Sequence, residues 1–313
     1  MTARSLLDRA GTLIGLILVA AIFGALVGRQ FFAPANIELM ARQTAIVCMA
    51  ALGMTIVIVS GGIDLSVGSM IALTTVVIAL MLRAEAAPLT AALAGVAAAA
   101  VCGLLNGVLI TRLKVVPFIV TLGTMLIVRG AAKGLAEERR IEAPISWLND
   151  LLRTQGGAAR LPPGIWAVIA LALVVAGVLR YTRFGRHVFA IGSNERMARL
   201  CGVAISRTKI AVYTMAAALV GMAGLLQFSK LSVGDPTVAV GLELDVIAAV
   251  IIGGESLTGG RGTVAGTIIG AAIMTIIQIG CSQKGLANWV QQIVTGGIIV
   301  AAVALDRVRS TRT

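Results

Sequence analysis

The sequence predicts an all-α fold, a polytopic bundle of about ten transmembrane helices (eight to ten) in which some helices are discontinuous. Of the 313 residues, 58% are apolar and only 13% are charged, and the mean hydropathy is +0.98. Soluble domains are roughly a quarter charged, and a single globular core would not bury so much apolar surface. A bilayer accommodates that surface directly, so we expect one integral membrane domain over residues 1–313.

Ten apolar runs approach the roughly twenty residues that a helix needs to cross about 30 Å of hydrocarbon. In chain order they are Thr12–Phe31, Thr44–Ser60, Ser66–Leu82, Leu89–Ile110, Val116–Val128, Ile165–Arg180, Ile210–Phe228, Leu244–Gly254, Thr263–Ile279 and Trp289–Leu305. The fifth and eighth are short, so eight or nine spans remain possible. The first run is long for a cleavable signal peptide, and we expect a retained helix.

The net charge of +12 and the pI near 10.8 are compatible with a nucleic-acid-binding protein, but the charges fall in short connectors between the apolar runs. Basic residues concentrate in alternate connectors, as expected for loops that stay in the cytoplasm. They lie at Arg112 and Lys114, throughout residues 182–209, and after the last run. The mixed-sign connector Arg129–Gly164 is then outside. We therefore expect both termini in the cytoplasm and no nucleic-acid partner.

Residues for catalysis or metal binding are not evident in the sequence. The four cysteines have no CxxC spacing, and His187 is the only histidine. There is no GxxxxGK[ST] phosphate loop and no HExxH or Ser/His/Asp arrangement. The spans also contain few ionisable groups of the kind that couple transport to an ion gradient. A conduit driven by partner proteins fits better than an enzyme or an ion-coupled transporter.

Two polar, glycine-rich stretches interrupt the apolar runs. The first, Ser60–Ser69, leaves no room for an ordinary loop and predicts a broken helix. Asp64 within it either lines a pathway or caps the helix that follows. The second, Gly253–Gly262, repeats the GGxxL[ST]xG spacing of Gly61–Gly68. The repeat suggests a duplicated architecture, although the helix count places both breaks on one side of the membrane, whereas an inverted repeat requires opposite sides.

The basic connector contains a segment with the marks of a short helix, Gly192–Gly202. Ser193 or Asn194 can cap its start and Gly202 can end it. Met197, Leu200 and Cys201 share one face by their spacing. So short a helix is not stable alone, so we expect a partner to cover its apolar face.

Four stretches resemble the ribose-type sugar permeases of ATP-binding-cassette importers. They are SGGIDLSVGS at 60–69, PFIVTLG at 117–123, RFGRHVFAIG at 183–192 and ELDVIAAVIIGGESLTGG at 243–260. The resemblance implies a multi-pass permease of the bacterial inner membrane, paired with a second permease copy, a cytoplasmic ATPase and a periplasmic sugar-binding protein. It also implies that this chain binds no cofactor and that ATP and Mg²⁺ bind to the ATPase.

By the same resemblance, residues 182–209 form a cytoplasmic coupling loop that docks on the ATPase. Its expected coupling residues are Gly192, Ser193, Asn194, Glu195, Met197, Ala198, Leu200 and Gly202. The candidates for the translocation path are Gly61, Gly62, Asp64, Ser66, Thr121, Glu243 and Asp245. Glu243 and Asp245 either lie at an exposed interface or accept hydrogen bonds from substrate hydroxyls. A self-sufficient secondary transporter and a permease for another polyol or an amino acid remain open alternatives.

Overall fold

The computed structural model describes residues 3–153 and 161–311, which are mostly helical. In chain order the α-helices are α1 (Ala3–Val27), α2 (Pro34–Val59), α3 (Val67–Arg83), α4 (Pro88–Leu113), α5 (Pro117–Leu135), α6 (Pro163–Tyr181), α7 (Arg183–Ser193), α8 (Glu195–Leu200), α9 (Ile205–Leu231), α10 (Leu242–Ile252), α11 (Val264–Gln283) and α12 (Asn288–Thr311). Short 3-10 helices cover Arg29–Phe32 and Trp147–Leu152. Strands β1 (Ile141–Glu142) and β2 (Val233–Gly234) pair antiparallel.

The predicted all-α fold is confirmed, and each of the ten apolar runs falls on a helix of its own. Six helices are long and apolar enough to cross a membrane, namely α2, α4, α5, α6, α9 and α11. Helices α2, α4, α5 and α6 begin at a proline. Proline suits the first helical turn because its missing N–H has no intrahelical acceptor there. The total number of spans stays a prediction.

Helices α2 and α9 form the centre of the bundle. Every residue of α2 from Ala45 to Val59 is buried, and α9 packs against α2, α3 and α4. Gly103 and Gly107 of α4 leave no room for a Cβ against the backbone of Tyr213 and Ile210 in α9. These glycines therefore serve close helix packing.

Helix α10 is only half as long as a membrane-spanning helix. Its 11 residues extend about 16 Å. The connector before it, residues 232–241, runs beside α3. Gly234 packs against Ala79, the backbone N–H of Asp235 donates to Thr75 Oγ1 at 3.2 Å, and the carbonyl of Ala239 lies against Gly68. Gly68 is about three turns from Ala79.

The eighth apolar run, expected to be short, is this half-length helix α10, and the connector before it packs against α3. Gly234, Asp235 and Pro236 are buried, so this part of the connector's irregular backbone is covered by protein. Such backbone is compatible with membrane depth only where protein or a water-filled cavity satisfies its polar groups. The chain therefore replaces half of a helix with a protein-covered connector.

Helix α5 continues almost two turns beyond its predicted end at Val128. Arg129 and Lys133, expected in an external loop, therefore belong to α5. The guanidinium of Arg129 donates from Nη1 to the carbonyls of Pro236 at 3.0 Å and Val238 at 2.7 Å. These bonds satisfy a charged side chain in the bundle and tie α5 to the irregular connector.

Candidate translocation and coupling sites

The first break lies between α2 and α3 and is mostly buried, with Gly61 exposed. Asp64 is 2% exposed, and its Oδ1 accepts hydrogen bonds from the backbone N–H of Ser66 at 2.8 Å and from the Ser66 hydroxyl. Asn106 of α4 donates from Nδ2 to Ser66 Oγ at 3.1 Å. Asp64 thus closes the turn that leads into α3. A buried carboxylate is costly unless it is hydrogen-bonded in this way.

Two other helices hold the same break in place. Thr121 of α5 donates its hydroxyl hydrogen to the carbonyl of Ile63 at 3.3 Å. The hydroxyl of Tyr213, in α9, occupies the space that a side chain at Gly62 would need. Five of the seven path candidates, Gly61, Gly62, Asp64, Ser66 and Thr121, therefore lie together.

The other two candidates, Glu243 and Asp245, face different neighbours. The Glu243 carboxylate lies against Gly68 in the first turn of α3, where a Cβ would overlap it. Asp245 Oδ2 accepts a hydrogen bond from Gln278 Nε2 of α11 at 2.6 Å. The two acids belong to separate contacts, and only Glu243 lies beside α3.

The second break, residues 253–263, is bound to α2. Glu255 is 1% exposed, and its Oε1 accepts from the Thr267 hydroxyl at 2.8 Å. That hydroxyl also lies 2.6 Å from the hydroxyl of Thr55 in α2. The backbone N–H of Gly260 donates to the carbonyl of Val59 at 2.9 Å. The break is thereby fixed to the end of α2.

Both breaks meet the coupling loop at one point, which we call the glycine contact (Gly61, Gly192, Gly259 and Gly260). A Cβ at Gly259 would lie 2.9 Å from Gly61 Cα and 2.9 Å from the carbonyl oxygen of Gly192. Gly192 itself has no room for a Cβ against the carbonyl of Val59. The two breaks therefore lie on the same side of the bundle, as the helix count predicts, and not in an inverted relation.

The coupling loop contains two helices where one was predicted. Gly192 and Ser193 form the end of α7. Thr182 caps the start of α7, because its hydroxyl oxygen accepts a hydrogen bond from the Gly185 N–H at 3.1 Å. Asn194 caps α8, since its Oδ1 accepts from the Met197 N–H at 3.0 Å. The short helix predicted over 192–202 therefore begins only at Glu195. It ends before Gly202, which has a φ of 82° that favours glycine.

Helix α8 is held against the rest of the loop by one apolar and one polar contact. Ala198 is buried with Ile191 of α7 and Ile205 of α9. Glu195 accepts from Lys209 Nζ at 2.7 Å and from Arg199 at 3.0 Å. The hydrogen bond from Lys209 holds the pKa of the Glu195 carboxyl below its ordinary value. Glu195 therefore braces α8 against α9.

The opposite face of α8 is apolar and open. Met197 is 55% exposed and Leu200 is 81% exposed, and Cys201 beside them is also exposed. These are the residues whose spacing predicts a shared face. Nothing in the described part of the chain covers them, and large exposed side chains of this kind mark interaction surfaces when they are contiguous.

Three residues that hold the first break or the connector in place were not predicted from the sequence. Asn106 is a buried amide in the apolar helix α4, and Tyr213 is one of only two tyrosines. Arg129 was assigned to a loop because the apolar run ends just before it. A polar side chain inside a long apolar run was the available signal for Asn106. No local pattern identifies the connector carbonyls that bind Arg129.

Comparisons with known proteins match this chain along most of its length. A family model for the permease component of branched-chain amino acid transport systems matches residues 36–303. The chain is 36% identical over 297 residues to the ribose import permease protein RbsC of Escherichia coli strain K12, covering 94% of this chain and 92% of that protein.

Two further relatives are named for other sugars. The L-arabinose ABC transporter permease protein AraH of Azospirillum brasilense is 35% identical over 307 residues, 97% of this chain and 89% of that protein. The fructose import permease protein FrcC of Rhizobium meliloti is 33% identical over 302 residues, 94% and 84% of the two chains. No solved structure matches the chain. The similarity includes both breaks and the coupling loop.

Proposed function

Because the chain belongs to the family of transport-system permease components, we propose that it is the membrane-spanning subunit of an ATP-driven importer that passes a monosaccharide. Membership of this family confirms the resemblance that the four sequence stretches indicate. The chain is a multi-pass membrane protein of the ABC-permease type, and a permease component is not itself catalytic.

The substrate class follows from the relatives. Proteins 33–36% identical over nearly the whole chain are named for ribose, L-arabinose and fructose. Since these are all monosaccharides, we assign this chain the same class. The three different sugars leave its own sugar undetermined. A periplasmic binding protein would deliver the sugar, as the similarity to sugar import permeases implies.

The observation that carries the proposal is the glycine contact. The coupling loop touches both breaks there through backbone atoms alone, while the apolar face of α8 remains exposed on the same loop. A cytoplasmic ATPase docked on Met197 and Leu200 would therefore act on the ends of α2 and α10 through one rigid segment. A second permease copy would complete the conduit in a bacterial inner membrane. Both termini of each chain would lie on the cytoplasmic side.

Reconstitution tests the proposal. The permease would be purified with its ATPase and binding protein and placed in proteoliposomes with labelled ribose, L-arabinose, fructose or leucine. We expect uptake of at least one sugar that requires both ATP and the binding protein. Gradient-driven uptake by this chain alone would instead support a secondary transporter. Uptake of leucine but of no sugar would support an amino-acid permease.

A further inference from the structure

A cavity of about 260 Å³ lies between α5, the connector before α10 and the first turn of α3, which directly follows the first break. Ser69 of α3 and Glu243 of α10 line it on one side, and Arg129 and Lys133 of α5 line it on the other. The connector contributes Thr237. Glu243 is thus the one path candidate that faces this space.

Two polar atoms of this cavity, one on Ser69 and one on Glu243, have no hydrogen-bond partner within the described residues. Ser69 is completely buried, and its hydroxyl is unpaired. The Oε2 of Glu243 is also buried and unpaired. Buried polar atoms in folded proteins are nearly always paired, so an unpaired atom that lines a cavity calls for an explanation. Two such atoms lining one cavity point to a polar ligand with hydrogen-bonding groups.

The other polar side chains of the cavity are occupied or stand at its edge. Thr237 donates its hydroxyl to Asp235 Oδ1 at 2.6 Å. Arg129 uses Nη1 for the two connector carbonyls, and no ion pair joins it to Glu243 among the described side chains. Lys133 is exposed one turn further along α5, towards the end of that helix predicted to lie outside. A ligand arriving from outside would therefore meet Lys133 before the buried pair.

We propose that this cavity is a resting site for a sugar within the permease, in which Glu243 and Ser69 hydrogen-bond to neighbouring hydroxyl groups. Glu243 requires a donor, while Ser69 can donate or accept. Two adjacent hydroxyls satisfy both groups at once. Gly68 is part of this site, because any side chain there would displace the Glu243 carboxylate. The inference deepens the proposed function and rests on it.

Substitution of Ser69 separates a binding role from a structural one. Its hydroxyl makes no hydrogen bond to a described residue, so Ser69→Ala should leave the thermal unfolding midpoint unchanged or raise it. We expect the same variant, and Glu243→Gln, to lower uptake at least tenfold in proteoliposomes that transport the sugar identified with the unmodified complex. Glu142→Gln, an exposed change in β1, should leave uptake unaltered. Unchanged uptake by Ser69→Ala would overturn the proposal.

Protection of a cysteine at position 69 tests occupancy directly. In the full complex, Ser69→Cys would be labelled with a thiosulfonate after Cys48, Cys102, Cys201 and Cys281 are replaced by alanine. The transported sugar should slow labelling at least threefold, and Glu243→Gln should abolish this protection. Labelling of Arg112→Cys on the same background, at an exposed position near the end of α4, should not respond to sugar. Absent protection, or equal protection by leucine, would overturn the proposal.

The uptake measurements distinguish failure of the proposed function from failure of the resting site alone. If the unmodified complex transports none of the sugars tested, the proposed function fails, and the resting site fails with it. If it transports a sugar while Ser69→Ala and Glu243→Gln behave as the unmodified complex does, only the resting site fails.

Discussion

Gly192 lies directly against the carbonyl of Val59, so the last turn of α7 touches the last residue of α2 with no side chain between them. The same carbonyl accepts the N–H of Gly260 at 2.9 Å. A displacement of the coupling loop must therefore move the end of α2 and the second break. Interiors packed this closely transmit strain because they have little free volume.

Substitution of Gly192 should damage this contact. A Cβ at position 192 would overlap the Val59 carbonyl, and overpacking of this kind costs about 1–3 kcal/mol. We expect Gly192→Ala to lower the thermal unfolding midpoint of the purified permease. Gly177→Ala in α6 is the matched control, since its Cβ would meet open space and alanine favours a helix by about 0.5–1 kcal/mol. Equal stability of the two variants would show that α7 adjusts freely.

A charge on the exposed face of α8 should detach the ATPase. Met197→Asp would bury a carboxylate without a partner at the docked surface, at a cost of several kcal/mol. We expect loss of ATPase co-purification and of sugar uptake, with normal membrane insertion. Arg199→Gln removes only an exposed ion pair with Glu195, which contributes about 0–1 kcal/mol. Retention of both activities by Met197→Asp would remove the docking role from this face.

The brace between Glu195 and Lys209 should weaken in acid. The pKa of Glu195 is lowered in the folded protein, so its stabilising contribution is complete above the ordinary carboxyl pKa, about 4.3. It is lost as the pH falls through the lowered value. The protection factors for hydrogen exchange of residues 195–209, which correct for the intrinsic pH dependence of exchange, should therefore fall in that acidic range.

Glu195→Gln should remove this pH dependence and exchange faster at neutral pH. Glu142→Gln, which leaves the coupling loop untouched, provides the control. An identical pH profile for Glu195→Gln and the unmodified chain would show that the ion pair does not fix α8.

The orientation of the chain can be tested by cysteine labelling from either side of the membrane. Position 150 lies in the 3-10 helix Trp147–Leu152 with its side chain 44% exposed. On a background without native cysteines, Asp150→Cys should react with an impermeant reagent added from outside. A variant retaining only Cys201, which is exposed in the coupling loop, should react only from the cytoplasmic side. The reverse pattern would invert the topology.

Much of this architecture is encoded locally and was predictable. Apolar run length located the ten helices, because hydrocarbon thickness fixes the number of residues required. The two breaks were also visible, since glycine and acidic residues interrupt otherwise continuous apolar sequence. Asn194 carried a recognisable cap and Gly202 a recognisable stop. The exposed face of Met197 and Leu200 followed from helical spacing alone.

The features that sequence reasoning missed depend on contacts between distant residues. Arg129 lies in a helix because its guanidinium binds carbonyls of Pro236 and Val238, over a hundred positions later in the chain. The connector before α10 reads as an external loop unless its packing against Thr75 and Gly68 is known. Glu243 appeared equivalent to Asp245 in the sequence, and only the packing of α10 between α3 and α11 separates them.

The half-length of α10 has a consequence for biosynthesis. Eleven residues, two of them acidic, are too few for the insertion machinery to release into lipid as an independent span. When α10 leaves the ribosome, however, the helices it packs against on one side, α2 and α3, have already been synthesised. We expect α10 to enter a groove preformed by the earlier part of the chain and to be held there by α11, so that truncation before Val264 would leave the segment outside the bundle.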